Sequence, residues 1–146
     1  MLSLGEIAPL FVATSTQGVV KLEEYIGQKH VVLIFYPKDH TPVCTKQLCA
    51  AQDSSMQFDE VDAVVFGVNP ASVEDHEGFA RRFGYEFGLI HDAGEEIRKK
   101  YKVGKILGLF AQERVVYIIN KAGRIVYARK GNPSTEELLT VIRQQS

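Results

Sequence analysis

Apolar residues along the chain gather into short, nearly unbroken runs separated by polar, helix-like segments. The run VVLIFY, Val31 to Tyr36, is apolar at every position, as a central strand covered on both faces requires. Pro37 ends it, because proline cannot donate to a sheet ladder. Ala63 to Val68 repeats the signal, Leu89 to His91 gives a shorter strand, and Arg114 to Ile119 a further one. Asn120 to Gly123 then turns the chain into RIVYA as an antiparallel partner. Upstream, Phe11 to Leu22 reads as a hairpin around Gln17-Gly18, followed by a brief polar helix near Glu23 to Tyr25.

The segments between strands carry helix starts. Ser72 with Asp75 opens a helix running to about Phe83 and stopped by Gly84, and Ser134 with Glu137 opens the last helix, with Leu138, Leu139 and Ile142 on its apolar face. A helix is expected from Pro42 to about Phe58, weakened in its second half by Asp53-Ser54-Ser55, and another from Glu95 to Tyr101. Val103 to Gln112 reads as a loop containing glycine. Strand, helix, strand, helix, then hairpin and helix is the order of an α/β, thioredoxin-like fold: a central mixed sheet, helices on both faces and an N-terminal hairpin. With no repeat or Pro/Gly/Ser-rich linker, residues 1–146 are expected to form one domain.

Composition narrows the function classes. A domain of this length can bury enough apolar surface to stand without disulfide or metal staples, so neither cysteine is needed for that purpose. The net charge of −1 makes nucleic acid or an anionic membrane surface an unexpected partner. The opening MLSLGEIAPLF lacks the basic segment and apolar core of a signal peptide, which sets a cytoplasmic, reducing location as the expectation. In such a compartment a pair of cysteines points to catalysis or redox chemistry more than to a permanent bridge. His30, His76 and His91 are scattered without metal-ligand spacing, and with only two cysteines a structural zinc site is not expected.

Cys44 and Cys49 both lie in FYPKDHTPVCTKQLC, directly after the first long apolar run. Thr41 can serve as N-cap, Pro42 suits the first helical position, and Cys44 then falls at the third. A sulfur in that turn faces unpaired amides with about half a positive charge, which favours thiolate over thiol. A positive side chain would add to this, and Lys38, Lys46 and the distant Arg114 are all candidates. His40, four residues before Cys44, invites a Cys-His hydrolase reading, but its place in a loop fits a solvated polar residue better. The spacing to Cys49 is an obstacle: residues five apart in a regular helix have Cα atoms roughly 8 to 9 Å apart, whereas a disulfide needs less than about 7 Å. The pair can join only if the helix between them opens.

The same segment resembles the active site of peroxiredoxins, and most closely their Q group, also called bacterioferritin comigratory proteins. Pro37, Thr41 and Cys44 match the family pattern of Pro, three residues, Thr, two residues, Cys, and Cys49 matches the second cysteine. GEIAPLF, VVFGVNPASVEDHEGF and ERVVYIINKAGRI extend the resemblance over nearly the whole chain. It implies a thiol peroxidase acting on hydrogen peroxide and organic hydroperoxides, with neither metal nor organic cofactor required. Cys44 would attack the peroxide and become a sulfenic acid, with Thr41 and Arg114 stabilising the reacting groups and Pro37 shielding them from water. Cys49 would resolve the sulfenic acid as an intramolecular disulfide, reopened by thioredoxin or a similar dithiol. The group's habit implies a monomer or weak homodimer. Gln47 stands where many members carry Glu, and Gln52 where Arg is frequent. The competing readings are a thiol-based redox sensor or chaperone-like module without efficient turnover, and a thiol-disulfide oxidoreductase, which would more often show the Cys-x-x-Cys pair absent here.

Overall fold

The computed structural model describes residues 1–106 and 111–145. In chain order the elements are β1 (Val12–Ser15), β2 (Gly18–Lys21), β3 (His30–Phe35), α1 (Pro42–Asp53), α2 (Ser55–Glu60), β4 (Ala63–Asn69), α3 (Val73–Phe83) and β5 (Gly88–His91). They continue with α4 (Glu96–Lys100), β6 (Lys105–Ile106), β7 (Ala111–Gln112), β8 (Val115–Ile119), β9 (Ile125–Lys130) and α5 (Thr135–Arg143). The main sheet has the order β2-β1-β5-β4-β3-β8-β9. β3, β4 and β5 are parallel, while β8 and β9 extend one side and the β1–β2 hairpin the other in antiparallel fashion.

The apolar run of β3 divides by side-chain alternation. Val31, Leu33 and Phe35 join Phe66, Tyr117, Ile97 and Tyr101 on the face covered by α4 and the N-terminal segment. Val32, Ile34 and Tyr36 join Leu48, Phe58, Phe79 and Leu139 beneath α1, α2, α3 and α5. Both faces are thus apolar because both are covered, as expected from a strand without polar interruption. The mixed sheet, the helices on both faces and the N-terminal hairpin agree with the sequence reading.

Local signals also held at the helix starts, where Ser72 and Ser134 accept hydrogen bonds from the Asp75 and Glu137 amides, each at 3.1 Å. Gly84 ends α3 with φ 73°, a left-handed position that suits glycine. The helix expected from Pro42 to Phe58 is broken at Ser54 (φ −99°, ψ 12°) into α1 and α2. The expected loop from Val103 to Gln112 contains a small ribbon instead, pairing Lys105 with Gln112 and Ile106 with Ala111; residues 107–110 of that expected loop lie outside the described residues. Two residues per strand give too short a period to be seen in sequence. Among the described residues no helix is long and apolar enough to cross a membrane.

Candidate active site

β3 delivers the chain to Tyr36 in the core, and the segment from Pro37 to Thr41 then reverses direction so that α1 starts over the sheet. His40 takes a left-handed φ of 63°, which lets Thr41 enter the extended conformation that precedes a helix. Its ring rests on Phe79, centroids 4.9 Å apart, and remains exposed.

A buried polar cluster holds this turn. The Asp39 carboxylate accepts from the Tyr36 hydroxyl at 2.6 Å and from Asn69 Nδ2 at 3.0 Å, and pairs with His76 Nδ1 at 2.7 Å. The other His76 nitrogen lies 3.0 Å from the Ile90 carbonyl, so the turn is tied to α3 and β5 together. Gly67 makes room: a Cβ there would lie 2.8 Å from Leu89 Cδ2 and 3.0 Å from Tyr36 Cε1. Burial disfavours the Asp39 charge, but the bonds from His76, Tyr36 and Asn69 outweigh it and hold the carboxyl below its ordinary range. A carboxyl with a lowered folded pKa stabilises the fold above its unfolded value and loses that contribution as pH falls through the folded value. Asp39→Ala is therefore expected to cost about 3 kcal/mol at neutral pH, because it strands a buried partner. It should also flatten the acid-side fall of Tm below about pH 4. Thermal melts over a pH series check both; an unchanged Tm would show that the turn does not depend on Asp39.

Cys44 occupies the third position of α1, after Thr41 as N-cap and Pro42 at the start. The Thr41 side chain makes no capping bond; its hydroxyl donates to the Lys38 carbonyl at 2.9 Å. Among the described residues, no side chain caps the first-turn amides of α1 beside the sulfur. Cys44 is 1 % exposed and packs with Tyr36 and Leu48. Of the three cationic candidates, the most distant reaches it: Arg114 Nη2 donates to Cys44 Sγ at 3.2 Å. Lys38 and Lys46 are exposed. Arg114 immediately precedes β8, which pairs with β3, so the sheet itself brings the guanidinium to the start of α1. Its Nη1 donates to Gln47 Oε1 at 2.7 Å, and Gln47 is buried one turn beyond Cys44 on the same side of the helix. Gln47 was not among the expected site residues, although its i, i+3 spacing from Cys44 was the available signal. Pro37 is half-buried directly after Tyr36, at the edge of the same turn.

Cys49 lies in the same intact helix but is not brought to Cys44. Both thiols are free, and the Cys49 sulfur sits 3.3 Å from the Tyr85 hydroxyl. That hydroxyl also donates to the Thr45 carbonyl at 3.0 Å. Tyr85 follows the C-terminus of α3 and packs edge-on to Phe79 and stacked with Phe83 and Phe87. Burial, more than the Cys49 contact, pushes its phenol well above the ordinary range. Further along α1, Gln52 holds the next residue of that segment: its Nε2 donates to Glu86 Oε1 at 3.0 Å and its Oε1 accepts from the Glu86 amide at 2.7 Å. No motif pointed to Tyr85, because its partners are 36 and 40 residues away in sequence.

The chain that carries this geometry is similar to known proteins. The AhpC/TSA family model matches residues 4–128. The Peroxiredoxin Bcp of Bacillus subtilis is 37% identical over 131 residues, covering 86% of this chain and 83% of that one. The chloroplastic Peroxiredoxin Q of Triticum aestivum is 36% identical over 126 residues, or 86% of this chain and 58% of the longer plant protein. Among solved structures, Peroxidoxin BcpB from Mycobacterium tuberculosis superimposes with a TM-score of 0.91 at 24% identity, covering 100% of this chain and 99% of that one. A cysteine-to-serine variant of Xylella fastidiosa PrxQ gives 0.88 at 25% identity, covering 99% and 98%. The chain thus belongs to the AhpC/TSA family, as a peroxiredoxin of the Q or bacterioferritin comigratory protein group, and is a peroxidase among the oxidoreductases.

Proposed function

We propose that the protein is a two-cysteine peroxidase in which Cys44 reduces hydrogen peroxide or organic hydroperoxides and Cys49 closes the cycle. The contact of the Arg114 guanidinium with the Cys44 sulfur at the start of α1 carries this reading, since it sets a fixed positive donor against the group that must react as an anion. The Cys44 thiolate attacks one peroxide oxygen, the O–O bond breaks, and the departing oxygen leaves as water or an alcohol once protonated; Cys44 becomes a sulfenic acid. Thr41, whose own O–H is committed to Lys38, keeps oxygen lone pairs to accept the peroxide hydrogen. Arg114 stabilises the charge on the departing oxygen, and Pro37 limits water at the edge of the pocket.

Resolution needs a conformational step. In the reduced protein Cys44 and Cys49 are five residues apart within α1, a separation of roughly 8 to 9 Å that no disulfide spans. Opening of the helix between them lets the Cys49 sulfur attack the sulfenic sulfur, with loss of water. A dithiol protein such as thioredoxin then reduces the disulfide by exchange. One equivalent of peroxide is expected to remove two hydrogens, localised to Cys44 and Cys49 by peptide mass spectrometry. Amide exchange should then be faster over Thr45 to Ala50 in the oxidised form. Retention of both hydrogens, or equal exchange in both forms, would overturn the resolving role. NADPH consumption with thioredoxin and its reductase tests the recycling step.

A further inference from the structure

We infer that Tyr85 is a positioning residue that sets the rate at which α1 opens and thereby the rate of resolution; this rests on the reading of Cys49 as the resolving cysteine. The hydrogen-bond arithmetic is closed. Tyr85 has one hydroxyl hydrogen, and the Thr45 carbonyl, 3.0 Å away, can only accept it. The Cys49 thiol, 3.3 Å from the same oxygen, is then the donor to it. One buried phenol thus holds a carbonyl one residue past Cys44 and the sulfur of Cys49, the two ends of the stretch that has to open. It is only 5 % exposed and fixed by its aromatic neighbours, Phe79 and Phe83 on α3 and Phe87 just before β5. The Gln52–Glu86 bonds anchor the remainder of α1 to the same segment, so the hinge falls between the two attachments.

While Tyr85 is engaged, the Cys49 hydrogen is bound and its sulfur cannot reach Cys44. Once the Tyr85 contacts break, the Cys49 sulfur forms a bond to the Cys44 sulfur, the sulfenic S–O bond breaks, and the hydroxyl leaves as water with the thiol hydrogen. A slower opening leaves the sulfenic acid exposed longer to a second peroxide, which would carry Cys44 to the sulfinic acid. Tyr85 therefore sets the balance between turnover and peroxide inactivation.

Tyr85→Phe keeps the ring and removes only the hydroxyl. Rapid chemical quench with mass spectrometry after one equivalent of peroxide is expected to show disulfide forming at least about fivefold faster than in the wild type, since the hydroxyl's bonds to the Thr45 carbonyl and the Cys49 thiol are both lost. Loss of the Cys44 thiol in the first step should be unchanged within about twofold. Under excess peroxide the sulfinic product, read as two added oxygens, should fall. Phe83→Leu loosens the same aromatic cluster but leaves the hydroxyl in place. Faster resolution in Tyr85→Phe alone supports the assignment. Equal acceleration in both variants, or none in Tyr85→Phe, overturns it while leaving Cys49 as resolving cysteine. A wild-type protein that forms no Cys44–Cys49 disulfide overturns both readings.

Discussion

Cys44→Ser is expected to bring peroxide consumption down to the uncatalysed background, a loss on the order of 10⁴ or more by analogy with removal of other enzymic nucleophiles. The oxygen of serine has neither the acidity nor the polarisability to attack the O–O bond, and it cannot store the oxidising equivalent as a sulfenic acid. The fold should survive. Serine is nearly isosteric, and the Arg114 guanidinium that donates to the sulfur can donate to its hydroxyl instead, so the buried group keeps a partner. A ferrous-xylenol orange assay reads peroxide loss and a thermal melt separates lost chemistry from lost structure. Cys49→Ser gives the contrasting outcome: one equivalent of peroxide is consumed at the wild-type rate and a dimedone-reactive sulfenic acid remains on Cys44. Should Cys44→Ser still consume a full equivalent, the attacking sulfur would be Cys49, and the Arg114 contact would lose its functional meaning.

The parts of this site that are local in sequence could be read from sequence. Thr41, Pro42 and Cys44 occupy the N-cap, first and third positions of one helix start, and the structure keeps them there. The strand runs were visible because burial on both faces leaves no polar residue to confuse the period, and the helix starts because Ser72 and Ser134 act within three residues. Long-range features were not visible. The choice of Arg114 over Lys38 and Lys46 depends on β8 lying beside β3, and only the family resemblance anticipated it. Nothing local in the sequence marks Asp39 and His76 as partners, yet the fold buries them together across 37 positions. The break at Ser54 was signalled by Asp53-Ser54-Ser55, but sequence could not place it to the residue. Thr41 shows the limit of motif reasoning from the other side: its backbone is a cap, whereas its hydroxyl turns back to Lys38.

Arg114→Met should lower the second-order rate with peroxide by about 10² to 10³, the usual cost of removing a fixed donor from a developing anion. The reason lies in how the guanidinium is held. Its two terminal nitrogens point in different directions, Nη1 to Gln47 at 2.7 Å and Nη2 to the Cys44 sulfur at 3.2 Å. Because the group is planar, fixing one nitrogen fixes the other. Gln47 is neutral, so it orients the arginine without cancelling its charge, and among the described residues no carboxylate pairs with Arg114. The full positive charge is therefore directed at the sulfur and at the oxygen departing from it. Gln47→Ala should then cost less, about tenfold, because the charge stays but its aim is lost. Arg114→Lys should recover only part of the loss, since a single ammonium cannot satisfy Gln47 and the sulfur in that fork. Stability is expected to change little: the Gly131 amide bonds the Arg114 backbone carbonyl, which every substitution retains. Competition kinetics against catalase gives the peroxide rate constants, with sulfenic acid on Cys44 as the measured product. An Arg114→Met rate within threefold of wild type, about 0.7 kcal/mol in barrier, would place the activation of Cys44 in the helix start alone.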